Sequence, residues 1–352
     1  GSLIDLVVEN DGQPDFNWNA VWMGRTALTD SGWTAELKIP FSQLRYNNKP
    51  DQVWGMHSWR WIARNAEEDQ WSLIPRNNAG FIYSFGELRG IQNLPAARRL
   101  EFMPYSLAKL TTNPVNAENP LSYRYSRSAT IGMDGKVGVG SDFTLDYTLN
   151  PDFGQVEADP SEMNLSAFET FYAEKRPFFL EGKNILDFNI DDDILFYSRR
   201  IGHAPMAVPG EDENNRKFVK ADPNTDIIDA VKFSGKTANG LSIAVLQSLT
   251  ARSYATIDSA GNRYELPVDP LTNYMLYRLQ KDYNQGNSSI GAIFTTTHRD
   301  INHANLYKLN KAAYTAGIDY TQFLYDRNYF INLRGIYSSV QGRPEAMLEL
   351  QN

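Results

Sequence analysis

Residues 142–149 read DFTLDYTL, and this stretch decides the fold because apolar and polar side chains alternate along it without interruption. Side chains of successive strand residues point to opposite faces, so a period of two gives one apolar face and one water-facing face. The apolar face would carry Phe143, Leu145, Tyr147 and Leu149. The stretch therefore predicts a β-strand with two chemically different sides.

The same alternation recurs along the rest of the chain in segments of about ten residues, the length that a tilted strand needs to cross a bilayer. The predicted strands are 100–111, 124–139, 142–150, 227–237, 241–251, 273–283, 288–298, 312–322 and 328–339. Tight connections alternate with long ones such as 252–272, as in outer-membrane barrels. A second sandwich or a propeller would also alternate, but strand length and loop asymmetry favour the membrane barrel.

Residues 150–182 read NPDFGQVEADPSEMNLSAFETFYAEKRPFFLEG, which fits neither a strand pattern nor a membrane helix. The predicted strands on either side run in opposite directions, so residues 151–226 must contain an even number of crossings. The simplest even number of crossings is zero. We therefore expect 151–226 to be a non-spanning excursion, outside the membrane or folded into the lumen as a plug.

This segment resembles, nearly residue for residue, the signature of an uncharacterised family of bacterial outer-membrane barrel domains, found mostly in Bacteroidota. In that family the barrel follows a β-sandwich similar to carbohydrate-binding family 9. The residues that carry the signature, or would line the lumen, are Asn150, Asp152, Phe153, Glu157, Asp159, Asn164, Glu169, Glu174, Arg176, Phe178, Phe179 and Glu181. We expect Glu174, Arg176 and Glu181 to pair within the segment or with the polar side of the strands, because unpaired charges in a narrow lumen are costly.

The resemblance implies an all-β protein of two parts, both incomplete. Residues 1–95 would be the C-terminal part of a carbohydrate-binding family 9-like β-sandwich, and residues 96–352 the N-terminal part of an outer-membrane antiparallel β-barrel. It implies a Gram-negative outer membrane, with the first domain periplasmic and membrane lipid as a partner. Nine predicted strands is an odd number, whereas single-chain bacterial barrels have an even number, so further strands are expected. No signal-peptide pattern precedes the first domain, so an export signal would lie upstream or have been removed.

All seven tryptophans lie within the first 71 residues, where residues 33–41 also alternate as a strand. In sugar-binding members of the resembled family, tryptophan faces stack on sugar rings. The resemblance therefore makes four residues candidates for binding carbohydrate: Trp18, Trp22, Trp59 and Trp61. The alternative is that these side chains fill the core of a small sandwich.

The composition excludes several classes of function. A net charge of −8 argues against a nucleic-acid partner, and the absence of cysteine excludes disulfides and thiolate sites. The four histidines are scattered, and no zinc or calcium-loop motif occurs, so the sequence predicts no metal and no cofactor.

Paired carboxylates could catalyse glycoside hydrolysis. The candidates are Glu157, Asp159, Glu162 and Glu174. Because no serine elbow, zinc motif or phosphate loop accompanies them, a salt-bridged plug is favoured. The predicted function is a non-catalytic outer-membrane protein that binds or passes glycans or other bulky solutes. The alternatives are a membrane-associated hydrolase of glycans or peptides with its carboxylates in 151–182, and a structural or secretion-associated protein. Protein partners stay open.

Overall fold

The computed structural model describes residues 4–6, 8, 22–30, 32–44, 46, 49–74, 82–94, 100–151, 172, 174–190, 193–212, 214, 216–325 and 328–350. The chain divides into two compact units. The first consists of residues 1–99 with 140–142 and 323–329, and the second contains the remainder. None of the helices in the described part of the chain is long and apolar enough to cross a membrane.

Among its described residues the first unit contains six short strands: β1 (Met23–Thr29), β2 (Gly32–Lys38), β3 (Asp51–Met56), β4 (Trp59–Ile62), β5 (Glu67–Gln70) and β6 (Gly86–Gln92). They form three antiparallel pairs, β1–β2, β3–β6 and β4–β5. The strand predicted in 33–41 is confirmed as β2, which ends at Lys38. The sandwich arrangement stays a prediction.

The second unit contains the remaining strands: β7 (Leu100–Thr112), β8 (Tyr125–Val139), β9 (Phe143–Leu149), β10 (Asn189–Ile190), β11 (Asp193–Ile194), β12 (Lys217–Lys220), β13 (Ile227–Lys236), β14 (Leu241–Thr250), β15 (Ser253–Ser259), β16 (Asn262–Asp269), β17 (Thr272–Tyr283), β18 (Ser288–Arg299), β19 (Ala312–Leu324) and β20 (Tyr329–Gln341). The α-helices in the described part of this unit are α1 (Pro177–Leu180), α2 (Lys183–Leu186) and α3 (Pro344–Glu349).

Nine of these strands form one large sheet in the order β20-β19-β18-β17-β14-β13-β9-β8-β7. Every register pairing described from β7 to β19 is antiparallel. The nine strands predicted from alternation are confirmed, with ends that differ by at most two residues. Within the described residues the sheet is open, with β7 and β20 at its edges.

The two faces of this sheet differ in chemistry. Residues paired across neighbouring strands point to the same face. One row crosses seven strands through Lys136, Asp146, Lys232, Leu246, Leu276, Thr295 and Thr315. The adjacent row lies on the opposite face and contains Val137, Leu145, Phe233, Val245, Tyr277, Phe294 and Ala316. We call the second face the apolar face.

The face with the lysine row is covered by part of the chain between β9 and β13. The described residues 174–190 and 193–201, here called the cover segment, contain α1, α2 and the small β10–β11 hairpin. Four of its side chains are buried in the core of the unit: Phe179, Leu186, Phe188 and Ile201. They pack on six residues of the covered face and its margin: Ile227, Ala244, Leu246, Tyr274, Leu276 and Ile293. The prediction of a water-facing side is therefore wrong beneath the cover segment.

A second, smaller sheet contains β12, β15 and β16. Its core consists of Ala255, Ile257 and Val268, with Val219 and Leu266 packed against them. Residues 252–272 were predicted as a long loop, but they contain the β15–β16 hairpin. The hairpin turns at Ala260 and Gly261, where the backbone takes φ values of 51° and 91°.

Candidate functional site between the cover segment and the sheet

Charged side chains of alternating sign occupy neighbouring positions on the covered face. Lys136 on β8 pairs in register with Asp146 on β9, which pairs in turn with Lys232 on β13. Side chains directly opposite each other in antiparallel strands have Cβ atoms about 4.5–5.5 Å apart, so the three groups converge. Glu181, which follows α1, is the fourth member of this cluster.

Lys232 is the centre of the cluster and is only 1% exposed. Its ammonium lies 3.5 Å from Asp146 Oδ2 and donates hydrogen bonds to the backbone carbonyls of Phe178 at 2.6 Å and Glu181 at 2.7 Å. An ammonium has three donors, and these three acceptors match them. The Phe178 ring also lies 4.9 Å from the same nitrogen. A strand lysine thus holds the chain at α1 directly.

Lys136 makes the second link between sheet and cover segment. Its ammonium donates to both carboxylate oxygens of Glu181, at 2.6 and 2.7 Å, and lies 4.0 Å from Asp146 Oδ1. Two lysines and two carboxylates balance, which is the condition for keeping charges under a protein layer. We call Lys136, Asp146, Glu181 and Lys232 the latch, because they tie the cover segment to three strands.

A second ion pair fixes the conformation of the cover segment itself. Arg176 donates through Nε and Nη2 to the two carboxylate oxygens of Glu174, at 2.8 and 2.7 Å. The same guanidinium donates to the backbone carbonyls of Ile201 at 2.6 Å and Ser198 at 2.8 Å. It also lies 4.3 Å from the centre of the Phe179 ring. Because bidentate arginine pairs are strong and directional, this contact joins the two ends of the segment.

The same contacts define the chemistry of Glu174. Burial raises its pKa, but the hydrogen bonds and positive charge of Arg176 outweigh burial, and the Ser198 hydroxyl, which donates to Oε2, adds to their effect. The pKa of Glu174 is therefore below its usual range. A general acid must carry a proton near neutral pH. Glu174 consequently does not fit that role in the hydrolase alternative.

A third polar contact crosses the covered face between β17 and β19. Arg278 donates to the two carboxylate oxygens of Asp319, at 2.5 and 3.2 Å, and its guanidinium lies 5.5 Å from the centre of the Phe188 ring in the cover segment. The pair passes over Gly291 on β18, where an added Cβ would lie 2.5 Å from Asp319 Oδ2. Sequence reasoning missed this pair, although a glycine inside a predicted strand signals such a close approach.

The structure brings together five of the six signature residues that it describes, the exception being Asn150. Glu174, Arg176, Phe178, Phe179 and Glu181 all lie in the cover segment, and their charged groups pair within it or with the sheet, as expected. Six other signature residues lie outside the described residues: Asp152, Phe153, Glu157, Asp159, Asn164 and Glu169. The hydrolase candidate Glu162 lies there too.

Asn150 has a structural role at the end of β9. Its backbone takes a left-handed φ of 46°, which asparagine tolerates better than most residues. Its backbone N–H donates to the Ile228 carbonyl at 2.8 Å, and its side-chain amide donates to the Ile131 carbonyl at 2.7 Å. The residue therefore ends the strand while joining its two neighbours.

The candidate carbohydrate-binding tryptophans lie in the first unit, and Trp18 is outside the described residues. Trp22 is half-buried. Trp59 and Trp61 are on the same side of β4 and are 49% and 64% exposed. Both residues therefore expose surface to solvent, although the Trp59 ring also packs edge-on against His57 at 4.4 Å and Phe85 at 6.0 Å between ring centres.

The second unit is an antiparallel β domain whose inserted segment is held on one face of the sheet by paired charges. Within the described ranges, no three histidine, aspartate or glutamate side chains converge as metal ligands. The chain belongs to the family described as a domain of unknown function, DUF5916, whose sequence profile matches residues 96–341. No curated protein and no solved structure shows a significant match to the chain.

Proposed function

We propose that the second unit belongs to an outer-membrane β-barrel in which the cover segment occupies the lumen, and that the protein binds or passes glycans or other bulky solutes. The observation that carries this proposal is the contrast between the two faces of the nine-stranded sheet. The covered face is buried under the cover segment. The apolar face presents side chains such as Ile318 and Leu333, which are 67% and 61% exposed. Large exposed apolar patches indicate contact with a partner or with lipid.

Strand lengths support contact with lipid over contact with a protein partner. Four neighbouring strands of the sheet, β13, β14, β17 and β18, are 10–12 residues long. A tilted strand needs about 9–11 residues to cross the hydrocarbon layer. Alternation of apolar and polar side chains over such lengths is the pattern of membrane strands.

The edges of the sheet lead to the proposal of a closed barrel. The edge strands β7 and β20 are each 13 residues long. Long edges expose rows of backbone groups that promote association in water and cannot stay unpaired in a bilayer. We propose that further strands close the sheet around the cover segment.

The latch suggests how a lumen of this kind could stay shut. Charged contacts of Lys136 and Lys232 hold the cover segment from one wall, and the Arg278–Asp319 pair lies beside it on the same face. Paired charges keep their partners when buried but can exchange them for water when the segment moves. A passage closed in this way would open by displacement of the segment.

The first unit would then supply a glycan-binding surface on the periplasmic side. Trp59 and Trp61 are two residues apart on one strand, so their rings are on the same face. Exposed aromatic rings suit stacking on the apolar faces of sugars. This part of the proposal depends on the family resemblance and on the exposure of these two rings.

Conductance in planar lipid bilayers tests the proposal on the intact protein. We expect stable insertion with low conductance, and a large increase when residues 174–201 are replaced by a short glycine–serine linker. The control is Lys308→Gln, which changes an exposed lysine outside the latch and should leave conductance unchanged. Failure to insert would overturn the membrane assignment, and insertion with unchanged conductance after the replacement would overturn the plug.

A further inference from the structure

A polar cleft of about 540 Å³ lies beside the end of the β7–β8 hairpin, away from the latch residues. One wall is the hairpin, where Lys109 pairs in register with Ser128 and Thr111 pairs with Ser126. These four side chains consequently point to the same side. The end of β12 and residues 221–223 form another part of the lining. A volume of this size is typical of small-molecule sites, which occupy about 300–1,000 Å³.

The loop at the rim of the cleft is shaped by its own hydrogen bonds. Asn119 Oδ1 accepts the backbone N–H of Leu121 at 2.8 Å, and Ser122 Oγ accepts the backbone N–H of Asn116 at 3.0 Å. Leu121 is buried and anchors the loop. A rim that is ordered before a ligand arrives reduces the entropy lost on binding.

Apart from Asn119 and Ser122, which shape the rim, several polar side chains of the lining are available to a ligand. In the part of the chain that the structure describes, the side chains of Lys109, Thr111, Asn113, Ser126 and Ser128 make no hydrogen bond or ion pair. Together they offer an ammonium, an amide and three hydroxyl groups on adjacent positions of one wall. This set of donors and acceptors suits a solute rich in hydroxyl groups.

The charged side chains and the Tyr123 ring in the lining limit the class of ligand that fits the cleft. Lys220 lines the cleft together with Lys109, and its ammonium is 5.0 Å from the centre of the half-exposed Tyr123 ring. Asp222 is the acidic residue in the lining. Two lysines against one aspartate in the lining favour a ligand with an acidic group, in a chain that is otherwise acidic.

We propose that this cleft binds an acidic oligosaccharide. The hydroxyl and amide groups of the hairpin wall would pair with sugar hydroxyls, while Lys109 and Lys220 would hold a sugar carboxylate or sulfate. The Tyr123 ring offers a stacking surface for a sugar ring. The inference does not depend on the plug, because none of the residues lining the cleft belongs to the cover segment.

Calorimetry on the intact protein tests the proposal with trigalacturonic acid as the acidic probe and maltotriose as the neutral probe. We expect trigalacturonic acid to bind and maltotriose to bind at least about tenfold more weakly. Lys109→Gln and Lys220→Gln should each weaken trigalacturonate binding about tenfold, the size of one lost charge-assisted hydrogen bond. Lys308→Gln, an exposed lysine outside the lining, is the matched control and should leave binding unchanged.

The proposal is overturned if trigalacturonic acid does not bind, if both probes bind equally, or if the two cleft variants bind like the control. Melting temperatures of the variants establish that their fold is intact. Conductance of the same variants separates this site from the proposed plug, because loss of cleft binding with unchanged conductance supports the cleft alone.

Discussion

The ammonium of Lys232 lies 3.5 Å from the carboxylate of Asp146 on the neighbouring strand while it donates to two carbonyls of the cover segment. One side chain therefore neutralises a charge on the sheet and holds the inserted chain. Buried ion pairs add little net stability compared with apolar packing, but breaking one leaves the partner without compensation. The latch is consequently sensitive to loss of a single member.

Replacing Lys232 with methionine should destabilise the protein strongly. Asp146 would lose its nearest positive partner, and the carbonyls of Phe178 and Glu181 would lose their donor. We expect a loss of about 3–5 kcal/mol in the free energy of unfolding, measured by urea titration of the intact protein. Lys308→Met serves as the control, since this exposed lysine should change stability by less than about 0.5 kcal/mol.

The double variant Lys232→Met with Asp146→Leu distinguishes an electrostatic effect from a packing effect. It removes both members of the pair, so no uncompensated carboxylate remains. We expect it to be more stable than the single Lys232→Met variant. If the double variant loses as much stability as Lys232→Met, or as much as the two single changes added together, the cost does not come from a carboxylate left without a partner.

Stability should also depend on pH through Glu174. Burial raises its pKa and Arg176 more than offsets this, so the folded-state pKa is below the ordinary value of 4.5. A carboxylate with a lowered folded-state pKa stabilises the fold above its unfolded pKa. This contribution is therefore present above pH 4.5 and is lost as the pH falls through the folded-state pKa. At pH 7, Glu174→Gln should cost about 1.5–3 kcal/mol of unfolding free energy.

Unfolding free energies measured from pH 7 down to pH 3 test this dependence. The difference between the parent protein and Glu174→Gln should shrink as the pH falls below 4.5. The control Glu265→Gln changes an exposed carboxylate on β16 and should follow the parent curve. A constant difference between the parent and Glu174→Gln across the whole range would refute the role of the Glu174–Arg176 pair.

The sheet was predictable because its strands encode their two faces directly. In β13, for example, Val231 and Phe233 alternate with Lys232, and the same period runs through all nine strands. Strand position and length follow from that period alone. The β15–β16 hairpin was not predicted, because its position after a long predicted strand suggested an external loop. The Ala260–Gly261 turn signal was nevertheless present in the sequence.

The contacts of the site were only partly predictable. Glu174 and Arg176 are two residues apart, so pairing within the segment followed from the local sequence. The latch could not be predicted in this way, because Lys232 and Glu181 are 51 residues apart and their contact depends on the position of the cover segment. Tertiary packing of this kind has no local sequence pattern. Gly317 was a signal only for the close approach of the cover segment to β19.

Close packing on Gly317 leads to a prediction about the cover segment. A Cβ at this position would lie 2.8 Å from Phe188 Cζ and 3.1 Å from Leu195 Cδ2, both in the cover segment, and 2.9 Å from Ile293 Cγ2 on β18. Gly317→Ala should therefore cost about 1–3 kcal/mol of unfolding free energy through overpacking. Gly335→Ala on the adjacent strand is the control, because its Cβ would meet only Ile318 Cγ1 at an ordinary 3.6 Å.

Urea titration of both glycine variants decides this prediction. Equal stability of Gly317→Ala and Gly335→Ala would mean that the cover segment does not rest on the sheet at this point. Faster proteolytic cleavage within 174–201 in Gly317→Ala alone would show in addition that the overpacking lifts the segment.

Arginine substitutions on the two faces of β19 test the proposed membrane orientation. Ile318 is on the apolar face, whereas Thr315 is on the covered face of the same strand. Ile318 is already exposed, so in water Ile318→Arg should change stability by less than about 0.5 kcal/mol. In a bilayer the same change should cost about 2–4 kcal/mol near the midplane. Thr315→Arg should cost less in lipid than Ile318→Arg, because its side chain does not point to lipid.

The measurement is urea titration of the intact protein refolded into phospholipid vesicles. The Ile318→Arg variant should be less stable than the Thr315→Arg variant. Leu333 lines the same apolar groove as Ile318, so Leu333→Arg should behave like Ile318→Arg. The ranking of unfolding free energies between variants of the two faces matters more than their absolute values, because each arginine also changes local packing. If Ile318→Arg and Leu333→Arg are tolerated while Thr315→Arg is not, the apolar face meets water, and the sheet belongs to a soluble protein or to an interface with another chain.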